Sequence, residues 1–229
     1  MPGQSIASES SQSDKQPARP LPVDSSSEIL ESSSETAAEL EDWRLMLVNF
    51  EHPLPADWSV DLTVTPYGYE VDARIADAVD TLITAASNDG VSLMICYGYR
   101  TIEQSQQLFE KQINTQLALG LSQEEAVVEA KRWVAPPGTS EHHTGLALDI
   151  VTPSHQVLNH SFAGTSAGIW MAQHSWEYGF VIRYPDNKQD ITGITYEPWH
   201  VRYVGKEHAA AMRANDECLE EYVARLAVE

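Results

Sequence analysis

An aspartate, Asp149, stands inside the apolar run LALDIV, and two adjacent histidines, His142 and His143, lie shortly before it. An ionised carboxylate that leaves water without a partner costs several kcal/mol or more, so a chain buries one only where something pairs with it. A metal ion is one such partner. This stretch therefore predicts a fold in which other parts of the chain bring further metal ligands to Asp149.

A second stretch, YEPWHVRY, carries Glu197 and His200 in similarly apolar surroundings. In a regular strand these two side chains face opposite sides, but Pro198 cannot donate to a strand ladder and favours a bulge or a strand end. Both side chains can then meet at one point. A three-ligand zinc set follows, with a fourth position left for water: His142, Asp149 and His200. Glu197 is placed to accept the proton of that water as a general base.

Each of these residues also has an ordinary structural interpretation. His142 and His143 could form a loop pair, Asp149 could cap a strand end or join a salt bridge, and His200 could be a hydrogen-bonded core histidine. The metal site is favoured because two separate segments each place ionisable groups in apolar, turn-rich surroundings. The remaining histidines have no comparable context, and we expect no site role for them: His52, His155, His160, His174 and His208.

Length, charge and cysteine content narrow the class of protein. With 229 residues the chain is long enough for one sizeable core, so one catalytic-sized domain is expected. The net charge of −20 argues against nucleic acid and anionic membranes as partners, because like charges repel. Cys96 and Cys218 lack a C-x-x-C spacing, which excludes a disulfide framework and a cysteine zinc site. No apolar segment approaches the ~18–20 residues that cross a bilayer, so no transmembrane segment is expected.

The composition changes along the chain. Residues 1–40 are rich in Ser, Pro and Glu and nearly free of aromatic and β-branched residues. Such a segment cannot bury enough apolar surface to offset its ordering entropy, so we predict a disordered linker. Residues 41–229 are then the catalytic domain. The linker is typical of a tether to an anchor, which would have to lie upstream, since the N-terminus has no signal-peptide pattern.

Periodicity and cap signals predict helices over residues 72–88, 101–119, 122–133, 170–178 and 206–226. Short apolar or alternating runs predict strands over residues 91–96, 146–151, 180–184 and 194–203. Within the second strand, Asp149 faces away from Leu148 and Ile150. Helices before and between several short strands indicate an α+β fold. We expect a small, mainly antiparallel sheet flanked by helices, with the zinc site in a cleft on the sheet.

Both stretches carry a family pattern. The motif S-x-H-x-x-G-x-A-x-D is matched at residues 140–149, and E-x-W-H is matched at residues 197–200. Together they resemble the VanY-like D-alanyl-D-alanine carboxypeptidases, zinc peptidases that trim the stem peptides of the bacterial cell wall. Residues 47–55 look like the family's entry segment, and residues 98–101 look like its G-Y-R-S element. The resemblance covers roughly residues 45–226.

The resemblance implies one zinc ion per chain, bound by His142, Asp149 and His200. It also implies that Glu197 is the catalytic base. Arg100 would hold either the polarised carbonyl or the carboxylate of the substrate, and a planar guanidinium suits both groups.

Further substrate contacts are implied less directly. Ser140 would help to fix the terminal D-residue, and Trp199 would be another substrate contact. Position 101 is Thr where the family has Ser, which keeps the hydroxyl. The glutamine that the family often carries five residues after the arginine is Ser105 here, which leaves that contact unassigned among its neighbours Gln104, Gln106 and Gln107. His143 could neighbour the metal or compete for it, and we expect it to face solvent.

The resemblance implies a D,D-carboxypeptidase that removes the C-terminal D-alanine from peptidoglycan stem peptides or their precursors. An L,D-carboxypeptidase acting on tetrapeptide stems is the close alternative, and a lysin-type endopeptidase is a weaker one. From another class, the domain could be a non-catalytic, zinc-stabilised wall-binding module. Glu197 argues against that module, because a structural zinc site needs no base. We expect a monomer that acts outside the cytoplasm, attached to wall or membrane through a segment that this chain lacks.

Overall fold

The computed structural model describes residues 42–228. The predicted linker, residues 1–40, lies outside these residues. Seven α-helices occur in the part that is described: α1 Ala76–Asn88, α2 Ile102–Ala118, α3 Gln123–Lys131, α4 Ser166–His174, α5 Gln189–Thr192, α6 Lys206–Asn215 and α7 Leu219–Leu226. The strands are β1 Leu62–Val64, β2 Glu70–Asp72, β3 Met94–Tyr97, β4 Ala147–Val151, β5 Phe180–Ile182 and β6 His200–Tyr203. Short 3-10 turns include Glu141–Thr144 and Ser175–Tyr178.

The main sheet has four strands in the order β3-β4-β6-β5, and every neighbouring pair is antiparallel. A separate hairpin pairs β1 with β2. The predicted α+β class is therefore confirmed. The register of β4 against β6 sets Asp149 directly opposite His200, and antiparallel partners bring their side chains within a few ångströms. The centre of the sheet thus joins the two stretches that the sequence singled out.

The core lies on the face of the sheet that α1 covers. Val79, Leu82 and Ala86 of this helix are fully buried and pack in one cluster with Leu148 and Ile150 of β4. Helical spacing directs one apolar stripe of α1 into the sheet, as predicted. All five residues of β4 are buried, so the carboxylate of that strand is shielded from bulk water on either face.

The cap signals at the next two helices are confirmed. Thr101 begins α2 with a capping box to Gln104, and Ser122 begins α3 in the same way with Glu125. In each box the hydroxyl accepts a backbone N–H that the first helical turn leaves unpaired. None of the helices within residues 42–228 combines the length and the apolar character that crossing a membrane requires.

The predicted strand over residues 194–203 is wrong in its first half. Only His200–Tyr203 pairs in the sheet. The Thr195 N–H donates to the carbonyl of Arg132, and the Glu197 N–H donates to that of Tyr184. The backbone N–H groups of Thr195 and Glu197 are therefore bonded to segments outside the sheet.

The predicted helix over residues 206–226 is also wrong, because it is two helices. α6 ends at Asp216, which adopts the left-handed conformation with φ 54°, one that Asp tolerates better than most residues. Cys218 then begins α7, where its N–H donates to the Glu221 carboxylate. The break lets both helices pack their apolar faces into a second, smaller core with Leu45 and Val204.

Candidate metal centre

The three predicted ligands meet in the structure. His142, Asp149 and His200 are all buried, and each offers one ligand atom within 4.8 Å of the others. His142 comes from the 3-10 turn Glu141–Thr144, and the other two are the opposed residues of β4 and β6. Gly145 ends the turn at φ +73°, and a Cβ there would lie 2.6 Å from the backbone nitrogen of Asp72. Only glycine fits this connection between turn and strand.

Hydrogen bonds decide which histidine nitrogens face the centre. Nδ1 of His142 lies 2.7 Å from the carbonyl oxygen of Gly98, which can only accept, so Nδ1 carries the proton. Nε2 of His142 is then free and lies 3.4 Å from Oδ2 of Asp149. Nδ1 of His200 lies 3.0 Å from the other carboxylate oxygen, Oδ1. Nε2 of His142, Nδ1 of His200 and the Asp149 carboxylate therefore converge on one common position.

The pKa values of His142 and Asp149 favour the protonation states that bind a metal cation. Burial, reinforced by the nearby Arg100 guanidinium, lowers the pKa of His142 to about 4. Its ring is therefore neutral at pH 7, as a metal ligand must be. Burial alone would raise the pKa of Asp149, but His142 and His200 outweigh it and hold this pKa below its usual range. Two imidazoles and one carboxylate are a donor set that zinc accepts in catalytic sites.

Glu197 lies beside this centre. Its side chain is buried, and its Oε2 is 3.6 Å from Nδ1 of His200, the nitrogen that faces the other ligands. Burial, together with the negative charge of Asp149, raises the pKa of Glu197 well above its usual value. The predicted convergence of Glu197 and His200 around Pro198 is found, with Pro198 in the turn that leads into β6.

A cleft of about 270 Å³ opens onto the centre. Arg100, Ser140 and Trp199, the predicted substrate contacts, all line it together with the three ligands and Glu197. The Arg100 guanidinium lies 3.6 Å from Oδ2 of Asp149, while its Nε is buried and has no hydrogen-bond partner in the part of the chain that is described. Arg100, a lining residue of the cleft, therefore has one buried N–H that is unpaired within residues 42–228.

The expectation that His143 faces solvent is wrong. Its side chain is buried, with 2% of the residue exposed. Nδ1 lies 2.7 Å from the carbonyl oxygen of Arg100 and so donates to it, and Nε2 accepts the Gly138 N–H at 3.1 Å. Because the 3-10 turn folds both histidine rings toward residues 98–100, His142 and His143 tie down the segment that carries Arg100.

A family model described as VanY, D-alanyl-D-alanine carboxypeptidase, matches residues 68–206, which is more than half of the chain. The chain belongs to the VanY family. A D-alanyl-D-alanine carboxypeptidase of Enterococcus faecalis is 40% identical over 80% of this chain and 66% of its own length. The putative carboxypeptidase YodJ of Bacillus subtilis is 38% identical over 78% of this chain. This chain spans just under two thirds of the length of each of these two relatives, 66% in both cases.

Solved VanY structures superpose well on this chain. VanYB in complex with D-Alanine-D-Alanine has a TM-score of 0.75 and 40% identity, covering 80% of this chain and 98% of that one. A glutamate-to-alanine variant of a vancomycin resistance D,D-pentapeptidase VanY, in complex with Zn(II), has a TM-score of 0.73 and 38% identity. It covers 80% of this chain and 99% of its own. The family resemblance expected from the sequence is confirmed.

Several residues at this VanY centre were missed by the sequence analysis. Gln112 of α2 and Tyr184 line the cleft, whereas Gln104, one of the three glutamines considered, is used in the α2 cap. Behind the ligands lies a buried ion-pair cluster of Glu141, Arg183 and Arg202. Glu141 had one available signal, since it is an acidic residue directly before His142. The two arginines had none, because their partner is distant in sequence.

Proposed function

We propose that this VanY-family protein is a zinc-dependent D,D-carboxypeptidase that removes the C-terminal D-alanine from peptidoglycan stem peptides. One observation carries the proposal: the three ligand side chains converge at the floor of a cleft that also contains Glu197 and Arg100. A structural zinc site is closed by four protein ligands. Here three side chains converge and a carboxylate stands beside them, which favours hydrolysis over a structural or purely wall-binding role.

The proposed reaction uses Glu197 as the proton carrier. His142, Asp149 and His200 would hold a zinc ion, which would supply a Lewis acid and make hydroxide available at a pH of about 7. Glu197 takes the proton of the attacking water and later gives it to the leaving amine. The Arg100 guanidinium donates to the carbonyl oxygen that gains negative charge during attack, which lowers the barrier.

The same cleft must hold the end of the peptide. Ser140 is buried in the cleft wall, and we assign its hydroxyl to contact with the terminal D-residue. Trp199 presents an aromatic side chain to the same cleft, and we assign it to contact with the substrate. Arg100 could hold the terminal carboxylate in place of the scissile carbonyl. Its position next to Asp149 favours the carbonyl, because that group must approach the metal.

An L,D-carboxypeptidase activity on tetrapeptide stems is the second candidate. A solved structure named as the LdcB LD-carboxypeptidase has 37% identity and a TM-score of 0.69, so the fold accommodates that specificity in a relative. We further propose that the protein acts outside the cytoplasm, where cell-wall peptides lie, and that it is a monomer. One chain supplies every predicted site residue, so catalysis needs no partner subunit.

A comparison of two stem peptides tests the proposal. We expect the zinc-loaded protein to release free D-alanine from a pentapeptide stem that ends in D-alanyl-D-alanine and not from the matching tetrapeptide. A chelator should abolish the release, and added zinc should restore it, because the ion supplies the Lewis acid. Release from the tetrapeptide alone would establish the L,D activity. No release from either peptide would favour the wall-binding module.

A further inference from the structure

Two buried polar atoms behind the metal centre face each other without a partner. Nε2 of His200 and Oε2 of Glu141 lie 4.0 Å apart, and neither makes a hydrogen bond within residues 42–228. Buried polar groups in native proteins are nearly always paired, so two adjacent exceptions require an explanation. They lie on the side of the His200 ring opposite to Nδ1, which faces Asp149.

The Glu141 carboxylate is held rigidly. Its Oε1 accepts hydrogen bonds from Nε of Arg183 and from a terminal nitrogen of Arg202, both at 2.7 Å. Arg183 is held in turn by two hydrogen bonds to Glu220, at 2.8 and 2.6 Å. Arg202 donates its other terminal nitrogen to two backbone carbonyls. The cluster leaves Oε2 of Glu141 as a fixed acceptor that points toward His200.

The surroundings of Glu141 favour a charged carboxylate that can accept a hydrogen bond. Burial alone would raise its pKa, but the Arg183 and Arg202 guanidiniums outweigh burial and lower it. The two guanidiniums that donate to Oε1 at 2.7 Å favour the charged carboxylate, which accepts hydrogen bonds. Its two oxygens are thus divided: one is used by the arginines, and the other remains for His200.

The tautomer of His200 links this acceptor to the metal. If His200 binds zinc through Nδ1, then its ring proton resides on Nε2, and that N–H requires an acceptor. Histidine ligands almost always donate this second N–H to a carboxylate, a carbonyl or water, which fixes the ring and raises its basicity. Oε2 of Glu141 is the carboxylate oxygen that Nε2 meets in this structure.

We propose that Glu141 is the positioning residue of the zinc site, accepting the Nε2 proton of His200 and so fixing the tautomer whose Nδ1 binds the metal. The inference rests on the zinc site of the proposed function and not on the substrate. The 4.0 Å gap exceeds a hydrogen bond of about 2.9 Å. The proposed hydrogen bond therefore requires Nε2 of His200 and Oε2 of Glu141 to come closer in the zinc-loaded protein. Arg183 and Arg202 hold the carboxylate still while this occurs.

Zinc affinity measured by competition with a chromophoric chelator tests the proposal. Glu141→Gln should weaken zinc binding by about 10–100-fold, because the amide has lost the charge and half of the accepting capacity. Glu220→Gln is the matched control, since it removes a partly buried carboxylate from the same Arg183 without facing His200. The control should bind zinc as the wild type does. Equal affinities in all three proteins, or an equal loss in both variants, would overturn the proposal.

A second measurement needs no variant and remains informative if Glu141→Gln does not fold. Long-range proton-nitrogen NMR spectra of the zinc-loaded wild type report which ring nitrogen of each histidine carries a proton. We expect opposite tautomers at the two ligands: a proton on Nε2 of His200 and a proton on Nδ1 of His142. A His200 ring that is protonated on Nδ1 would refute the inference. Neither readout involves peptide hydrolysis, so failure of the proposed activity would be recognised separately.

Discussion

Replacing Glu197 with Gln is expected to lower kcat for D-alanine release by about 10²–10⁴-fold, the usual contribution of a general acid-base group. The amide keeps the size of the side chain but cannot take the proton of water. Oε2 of Glu197 lies 3.6 Å from Nδ1 of His200. Glu197 is not one of the three converging residues. The variant should therefore retain one zinc ion per chain, measured by elemental analysis alongside the kinetics.

The control for this variant is a carboxylate in the same protein that lies away from the cleft. Glu177→Gln serves, because Glu177 pairs on the surface with His174 and has no contact with the cleft. Its kcat should equal that of the wild type. Wild-type turnover in the Glu197→Gln protein would show that another group carries the proton. Loss of zinc in that protein would make Glu197 a ligand.

Replacing Arg100 with Met is expected to lower kcat by about 10²–10³-fold, the typical cost of removing one donor to a developing oxyanion. Methionine keeps an aliphatic stem but removes the charge and the buried Nε donor that has no partner in the described chain. If Arg100 acts on the scissile carbonyl, kcat falls and KM changes little. If it holds the terminal carboxylate instead, KM rises and kcat changes little. Steady-state kinetics separates the two roles.

Arg213→Met is the matched control for Arg100. Arg213 is an exposed residue of α6 whose guanidinium donates to the carbonyl of Ala172 and lies outside the cleft. We expect no change in kcat or KM for this variant. Zinc content should be unchanged in both proteins, because Arg100 neighbours Asp149 without being a ligand. Wild-type values of both constants for Arg100→Met would remove Arg100 from the mechanism.

The convergence of His142, Asp149 and His200 could be predicted because each of them sits in a short motif whose spacing is local. The α+β class and the capped starts of α2 and α3 followed from signals within a few residues of one another. The location of Glu197 beside His200 needed only the effect of Pro198 on the strand. These features depend on neighbours in sequence, which is what pattern reasoning can use.

The missed features depend on partners that are distant in sequence. His143 becomes buried because its ring bonds to Arg100, which lies 43 residues away. Glu141 is held by Arg183 and Arg202, at separations of 42 and 61 residues. The strand before His200 is shortened by tertiary hydrogen bonds, and the last helix is broken where its two halves pack in one core. No local pattern encodes such contacts.

The metal content of the purified, active protein tests the central claim most directly. We predict one zinc ion per chain in the wild type and in His174→Ala, whose histidine lies on α4 away from the cleft. Asp149→Ala, which removes the only carboxylate among the three converging ligands, should bind almost none. Active wild-type protein without a divalent metal, or a full equivalent of zinc in Asp149→Ala, would contradict the account.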